Sequence, residues 1–185
     1  MLFNNVKRFA TDSLTNLILV IIAGSYLLQM IIPGYETALL LAKDPVLSGE
    51  YYRILTVALL HGGLLHLGFN LYSLHLLGSP VEAFFGKSRY LAIFIGSLIA
   101  ASITSIIFNP PYVYSIGASG AIFGLFGALA VGGKRMGVDF RSIGTIVVIN
   151  FALGFMMSGI DWHAHLGGLF GGAAVTWLLQ NTRKR

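Results

Sequence analysis

Residues 117–131 read GASGAIFGLFGALAV, and the character of the whole chain follows from this stretch. It carries no charge, and Gly120, Gly124 and Gly127 leave a line of small residues on a helix that opens at Ser119. In lipid, small residues four apart let two helix backbones approach closely. A second stretch, Ala164–Gly172, reads AHLGGLFGG and repeats the device with Gly167, Gly168, Gly171 and Gly172 behind His165. Two helices packed through these glycines are expected to bring the Ser119 hydroxyl and the His165 imidazole within hydrogen-bond reach. A serine with a positioned base is the minimum nucleophilic pair.

The rest of the chain sets the solvent. Hydrophobic residues make up 56% of it and charged residues 10%, against about 25% charged in a typical soluble domain. Mean hydropathy is +0.79. The fold class expected is all-α: one polytopic membrane bundle over residues 1–185, with residues 1–12 interfacial and 180–185 a basic tail. A span needs about 20 apolar residues. Six segments are candidates: Ser13–Ile32, Leu64–Phe84, Tyr90–Phe108, Ser119–Val131, Ile143–Met157 and Trp162–Leu179. The first 12 residues carry Lys7 and Arg8 but no evident cleavage site, so Leu2, Phe3, Val6 and Phe9 read as an interfacial lead-in.

Charge supplies the orientation. Lys7, Arg8, Lys87, Arg89, Lys134, Arg135, Arg141 and the Arg183–Arg185 cluster all fall on one side of a six-span topology. Lys43 and Arg53 alone fall on the other. The positive-inside rule then predicts both termini in the cytoplasm. The net charge of +5 is thereby explained without a nucleic-acid partner. The outer segment Tyr35–Leu60 is too apolar for a solvated linker and too interrupted for a span, so a partly buried interfacial loop is expected.

Polar groups in a membrane usually face the bundle interior. On this topology Ser119, His165, His61, His66 and Asn70 reach a similar depth near the outer face. His66 and Asn70 stand four apart on one helix face. Backbone N–H groups at a helix start after Gly117 stabilise an oxyanion, and His66 and Asn70 offer side-chain donors to the same oxygen. His75, His163 and Asn150 are assigned to structure, and Asp161 to an interfacial acid or helix cap, leaving a dyad rather than a triad. There is no HExxH, no acidic cluster and no Walker pattern, so no metal site or cofactor is expected. With no cysteine there is no disulfide. A transporter would carry polar residues across the midplane, whereas this cluster stops near one face.

Gly117-Ala118-Ser119-Gly120 resembles the GxSG motif of the rhomboid proteases. Ala164-His165 with Gly168 and Gly172 resembles their AHxxGxxxG motif, and His61, His66 and Asn70 their HxxxxHxxxN motif. The resemblance runs from Tyr51 to Gly172. It implies a serine endopeptidase that cuts within or beside transmembrane segments of other membrane proteins. By this resemblance Ser119 is the nucleophile and His165 the base. His66, Asn70 and the Ser119 N–H form the oxyanion hole, Phe123 stacks on the catalytic histidine, and His61 is structural. Gly117 and Gly120 support the serine turn, and Glu82 and Gly86 match a structural motif. The segment Tyr35–Leu60 becomes a membrane-embedded first loop, with Tyr52-Arg53 where many members carry Trp-Arg, and the fifth helix gates substrate. The six-helix minimal form and a bacterial plasma membrane are expected. A catalytically silent relative that binds membrane proteins for trafficking or quality control is the alternative.

Overall fold

The computed structural model describes residues 9, 11–137, 145, 148 and 160–181. Among these, the secondary structure is helical apart from one antiparallel bridge, Leu41 with Ser115. The long helices are α1 (Leu14–Ile31), α5 (Leu64–Phe85), α6 (Lys87–Phe108), α7 (Ser119–Met136) and α8 (Trp162–Asn181). Between α1 and α5 lie three short helices, α2 (Tyr35–Leu39), α3 (Lys43–Leu47) and α4 (Arg53–Thr56), and a 3-10 turn at Val57–Leu59. Five of the six expected segments thus correspond to helices. The remaining one, Ile143–Met157, together with Asn150, lies outside the described residues except for Thr145 and Val148.

Each helix end has a local cause. Ser13 caps α1 by accepting the Asn16 N–H at 3.0 Å. The N–H groups of Leu14 and Thr15, which have no acceptor inside the helix, donate to the Glu82 carboxylate at 2.7 and 2.8 Å, and the Thr15 hydroxyl joins them. Glu82 therefore binds the start of α1 to the end of α5. Gly86, at φ +79°, closes α5 and opens α6 without a linker. α7 is longer than the expected Ser119–Val131. It runs on to Met136, and Lys134 and Arg135 occupy its last turn, where cations meet the negative end of the helix dipole.

The tightest packing joins α6, α7 and α8. A Cβ on Gly124 would lie 2.1 Å from the Cβ of Ser97 on α6. One on Gly172 would lie 2.0 Å from the Gly124 carbonyl oxygen, and one on Gly171 2.4 Å from the Cβ of Ala100. The approach is possible only because these side chains are absent. Around this seam Leu74, Val81, Tyr90, Ile93, Leu125 and Phe126 are buried.

The outside of the bundle is apolar. Leu27, Met30, Ile31, Leu65, Phe69, Phe108 and Trp177 are all exposed, a surface that suits hydrocarbon rather than water. Among the described residues, α1 and α6 are long and apolar enough to cross a membrane. The pair Arg53–Leu59 and Leu64–Phe85 adds a third crossing if read as one span, bent by 102°.

The segment between α1 and α5 folds around Arg53. Its guanidinium is buried and donates to the carbonyls of Thr37 and Leu40 at 2.9 and 2.8 Å. It also pairs with Glu50 through Nε at 2.8 Å and Nη2 at 2.7 Å. The Tyr52 hydroxyl donates to Glu50 as well. One planar fork thereby joins three turns of chain, which a point-charge ammonium would not do. Leu41, Val46, Val57 and Leu60 then pack inward.

Candidate active site

Ser119 is the first residue of α7 and His165 the fourth of α8. Both helices start on the same side of the bundle and cross through facing glycines. A Cβ on Gly168 would sit 1.9 Å from the Gly120 carbonyl oxygen. That approach brings His165 Nε2 to 2.9 Å from Ser119 Oγ. The Phe123 ring, one helical turn after Ser119, lies parallel to the imidazole at a centroid distance of 4.1 Å and an interplanar angle of 11°. His165 is buried, so the stacked ring fixes the plane in which Nε2 faces the hydroxyl.

The other histidine motif approaches from α5. His66 Nδ1 accepts the Gly62 N–H at 3.1 Å. In a neutral ring this leaves the proton on Nε2, which becomes a donor. His66 Nε2 packs against Gly117. A Cβ there would lie 3.0 Å from it and 3.8 Å from Ser119 Oγ. His66 Nε2 and the serine oxygen therefore border one small space. Gly117 also adopts φ +121° and donates its N–H to the Val57 carbonyl at 2.9 Å. Asn70 is buried and donates through Nδ2 to the His66 carbonyl at 2.9 Å, which leaves its second N–H for another acceptor. The N–H of Ser119, at the first turn of α7, has no acceptor within its own helix.

His61 stands apart from the hydroxyl. Its ring is buried 5.1 Å from that of His66. Its backbone is held by Gln29 of α1, whose side chain accepts the His61 N–H and donates to the His61 carbonyl, each at 3.0 Å. His163 points elsewhere and bonds Asn109 through Nδ1 at 2.6 Å. Asp161 caps α8 by accepting the Ala164 N–H at 3.0 Å. Its other oxygen accepts the hydroxyls of Ser105 and Ser115. Burial alone would raise the Asp161 pKa, but the bonds from Ser105, Ser115, Asn109 and the Ala164 N–H outweigh it and hold the carboxyl below its ordinary value. Among the described residues no group of acidic, histidine or cysteine side chains is placed to hold a metal ion.

The family model of the rhomboid domain matches residues 48–182, which include every residue of this site. The chain belongs to the rhomboid family. It is 43% identical over 134 residues to the rhomboid protease GluP of Bacillus subtilis, an alignment covering 69% of this chain and 26% of GluP. With YdcA of the same bacterium it shares 35% identity over 145 residues, or 76% of this chain and 73% of YdcA. Inactive RHOMBOID-like protein 8 of Arabidopsis thaliana is 38% identical over 128 residues, covering 64% of this chain and 35% of that protein.

Several residues near the site escaped the sequence reading. Gln29 is one, and a lone amide inside the apolar run of α1 was its available signal. Ser105 and Ser115 are others. They look like ordinary small residues in sequence, and their partner Asp161 lies far along the chain.

Proposed function

We propose that this chain is an intramembrane serine endopeptidase working through a Ser119–His165 dyad. The 2.9 Å contact between Ser119 Oγ and His165 Nε2, inside the bundle and under the Phe123 ring, carries this reading. With its proton on Nδ1, the imidazole accepts the hydroxyl proton at Nε2 as Oγ attacks the scissile carbonyl carbon. The tetrahedral oxyanion is received by the Ser119 N–H, by His66 Nε2–H and by the free amide hydrogen of Asn70. His165 returns the proton to the leaving amine, the C–N bond breaks, and an acyl-enzyme remains. Water then attacks that ester with His165 as base, and Ser119 is regenerated. No cofactor is needed.

The frame for this chemistry is a six-span bundle in the plasma membrane with both termini cytoplasmic. The basic residues at one set of helix ends support it. The starts of α7 and α8 then lie near the outer face, with the Arg53-centred loop set into the membrane beside them. Substrates are transmembrane segments of other proteins, entering sideways from the lipid near residues 143–157. They must unwind locally, because a helical peptide bond is shielded by its own backbone. Small residues at the cleavage position suit the space beside Gly117.

Fluorophosphonate labelling of the purified protein tests the dyad. Labelling is expected on Ser119, is abolished by Ser119→Ala and is lost in His165→Ala. Labelling indifferent to the histidine rejects the dyad. Cleavage of a transmembrane substrate that persists in Ser119→Ala rejects the protease reading. It would favour the second reading, a silent membrane-protein binder; among the relatives, one is named inactive.

A further inference from the structure

Two hydrogen bonds join the same two strands of chain, four residues apart. Ser115 meets Asp161 at 2.6 Å, and Ser119 meets His165 at 2.9 Å. We infer that Asp161 is a positioning residue of the dyad: its carboxylate clasps the segment leading to Ser119 and the helix carrying His165, setting their height and rotation. This inference rests on the protease reading of Ser119 and His165.

The carboxylate makes contacts in three directions. Oδ1 accepts the Ala164 N–H and caps α8. Oδ2 accepts the hydroxyl of Ser115, from the segment that becomes α7, and that of Ser105, near the end of α6. The two serine oxygens are themselves 3.1 Å apart. The backbone of Ser115 is held in turn by Leu41, with both bridge bonds at 3.0 Å. A rigid chain of contacts thus runs from the first loop through Ser115 and Asp161 to the start of α8. The glycine seam between α7 and α8 permits their close approach, but its glycines carry no side chain to resist sliding or rotation. Asp161 supplies that restraint at the end nearest the dyad. Misplacement of reacting groups by about 1 Å costs on the order of 100-fold in rate.

Serine is as good a helix cap as aspartate, but its single short hydroxyl cannot also reach Ser105 and Ser115. Asp161→Ser therefore keeps the cap and breaks the clasp. Asparagine keeps the reach, accepting from Ala164 and bonding the serine hydroxyls through its amide, while losing the charge. The readout is the second-order rate of fluorophosphonate labelling at Ser119, measured in detergent well below each variant's Tm. Asp161→Ser is expected to label about tenfold or more slowly, and Asp161→Asn to restore most of that loss. Ser115→Ala, which leaves the cap untouched, is expected to slow labelling in the same sense. If Asp161→Ser and Ser115→Ala label at the wild-type rate, the clasp is rejected. If Asp161→Asn is as slow as Asp161→Ser, the charge rather than the geometry matters, and the positioning role is equally rejected. Absence of His165-dependent labelling in the wild-type protein would instead be a failure of the dyad itself.

Discussion

Gly168 lies directly over the carbonyl oxygen of Gly120, so close that a methyl group on Gly168 would stand 1.9 Å from that oxygen. The obstacle is backbone, not a flexible side-chain end, so it cannot step aside. Gly168→Ala must push α8 away from α7, and with it His165 from Ser119. Overpacking of this kind costs about 1–3 kcal/mol of stability. The expected outcome is a modest fall in Tm in detergent with a disproportionate loss of Ser119 labelling. Wild-type labelling in Gly168→Ala would show that the helix approach does not set the dyad.

Gly117→Ala attacks the site from the other direction. The residue sits at φ +121°, and its new Cβ would stand 2.9 Å from His66 Cε1. Strained backbone in such a region costs on the order of 1–3 kcal/mol, and the His66 ring must move. Because His66, the proposed oxyanion donor, is displaced while Oγ and His165 stay in contact, peptide cleavage should fall further than the hydroxyl's reactivity. Comparing turnover of a transmembrane substrate with the rate of fluorophosphonate labelling checks this.

Phe123→Leu removes the ring stacked on His165 at 4.1 Å while keeping an apolar side chain. A stacked pair is worth about 0.5–1.5 kcal/mol beyond its buried area, or about two- to tenfold in the population of the aligned imidazole. A decrease of that size in cleavage rate is expected, with little change in substrate KM. A loss confined to KM would mean that the ring contacts substrate rather than the base.

Arg53→Lys is expected to loosen the loop almost as much as Arg53→Ala, since an ammonium cannot reach Thr37, Leu40 and Glu50 together. Hydrogen bonds from charged groups contribute about 1.5–3 kcal/mol each at most. Faster limited proteolysis between residues 34 and 60 reads the effect directly.

The same loop carries a pH signature. The Tyr52 hydroxyl and the Arg53 guanidinium hold Glu50 below its ordinary pKa of 4.5. A depressed carboxylate contributes stability that is complete above the unfolded value and fades as pH falls through the lower folded one. Loop protection against proteolysis should therefore be flat from pH 7 down to about 4.5 and decline only below it. An acid-active protease such as pepsin would report the decline, and Glu50→Gln should remove it.

The sequence alone was enough to read the apolar helical bundle and the family to which it belongs. Apolar runs, glycines four apart and the order of Ser119, His165, His66 and Asn70 are local patterns, and helix periodicity turns them into faces. Helix limits were less legible. α7 passes Val131 because a helix end tolerates Lys134 and Arg135, and hydropathy stops where charge begins. The clasp of Ser105, Ser115 and Asp161, the hold of Gln29 on His61 and the fork of Arg53 were decided only by tertiary structure. Each joins positions with no periodic relation, through side chains whose types are common anywhere. A pattern can say that two helices approach. Only their packed geometry decides which hydroxyl meets which carboxylate at the crossing.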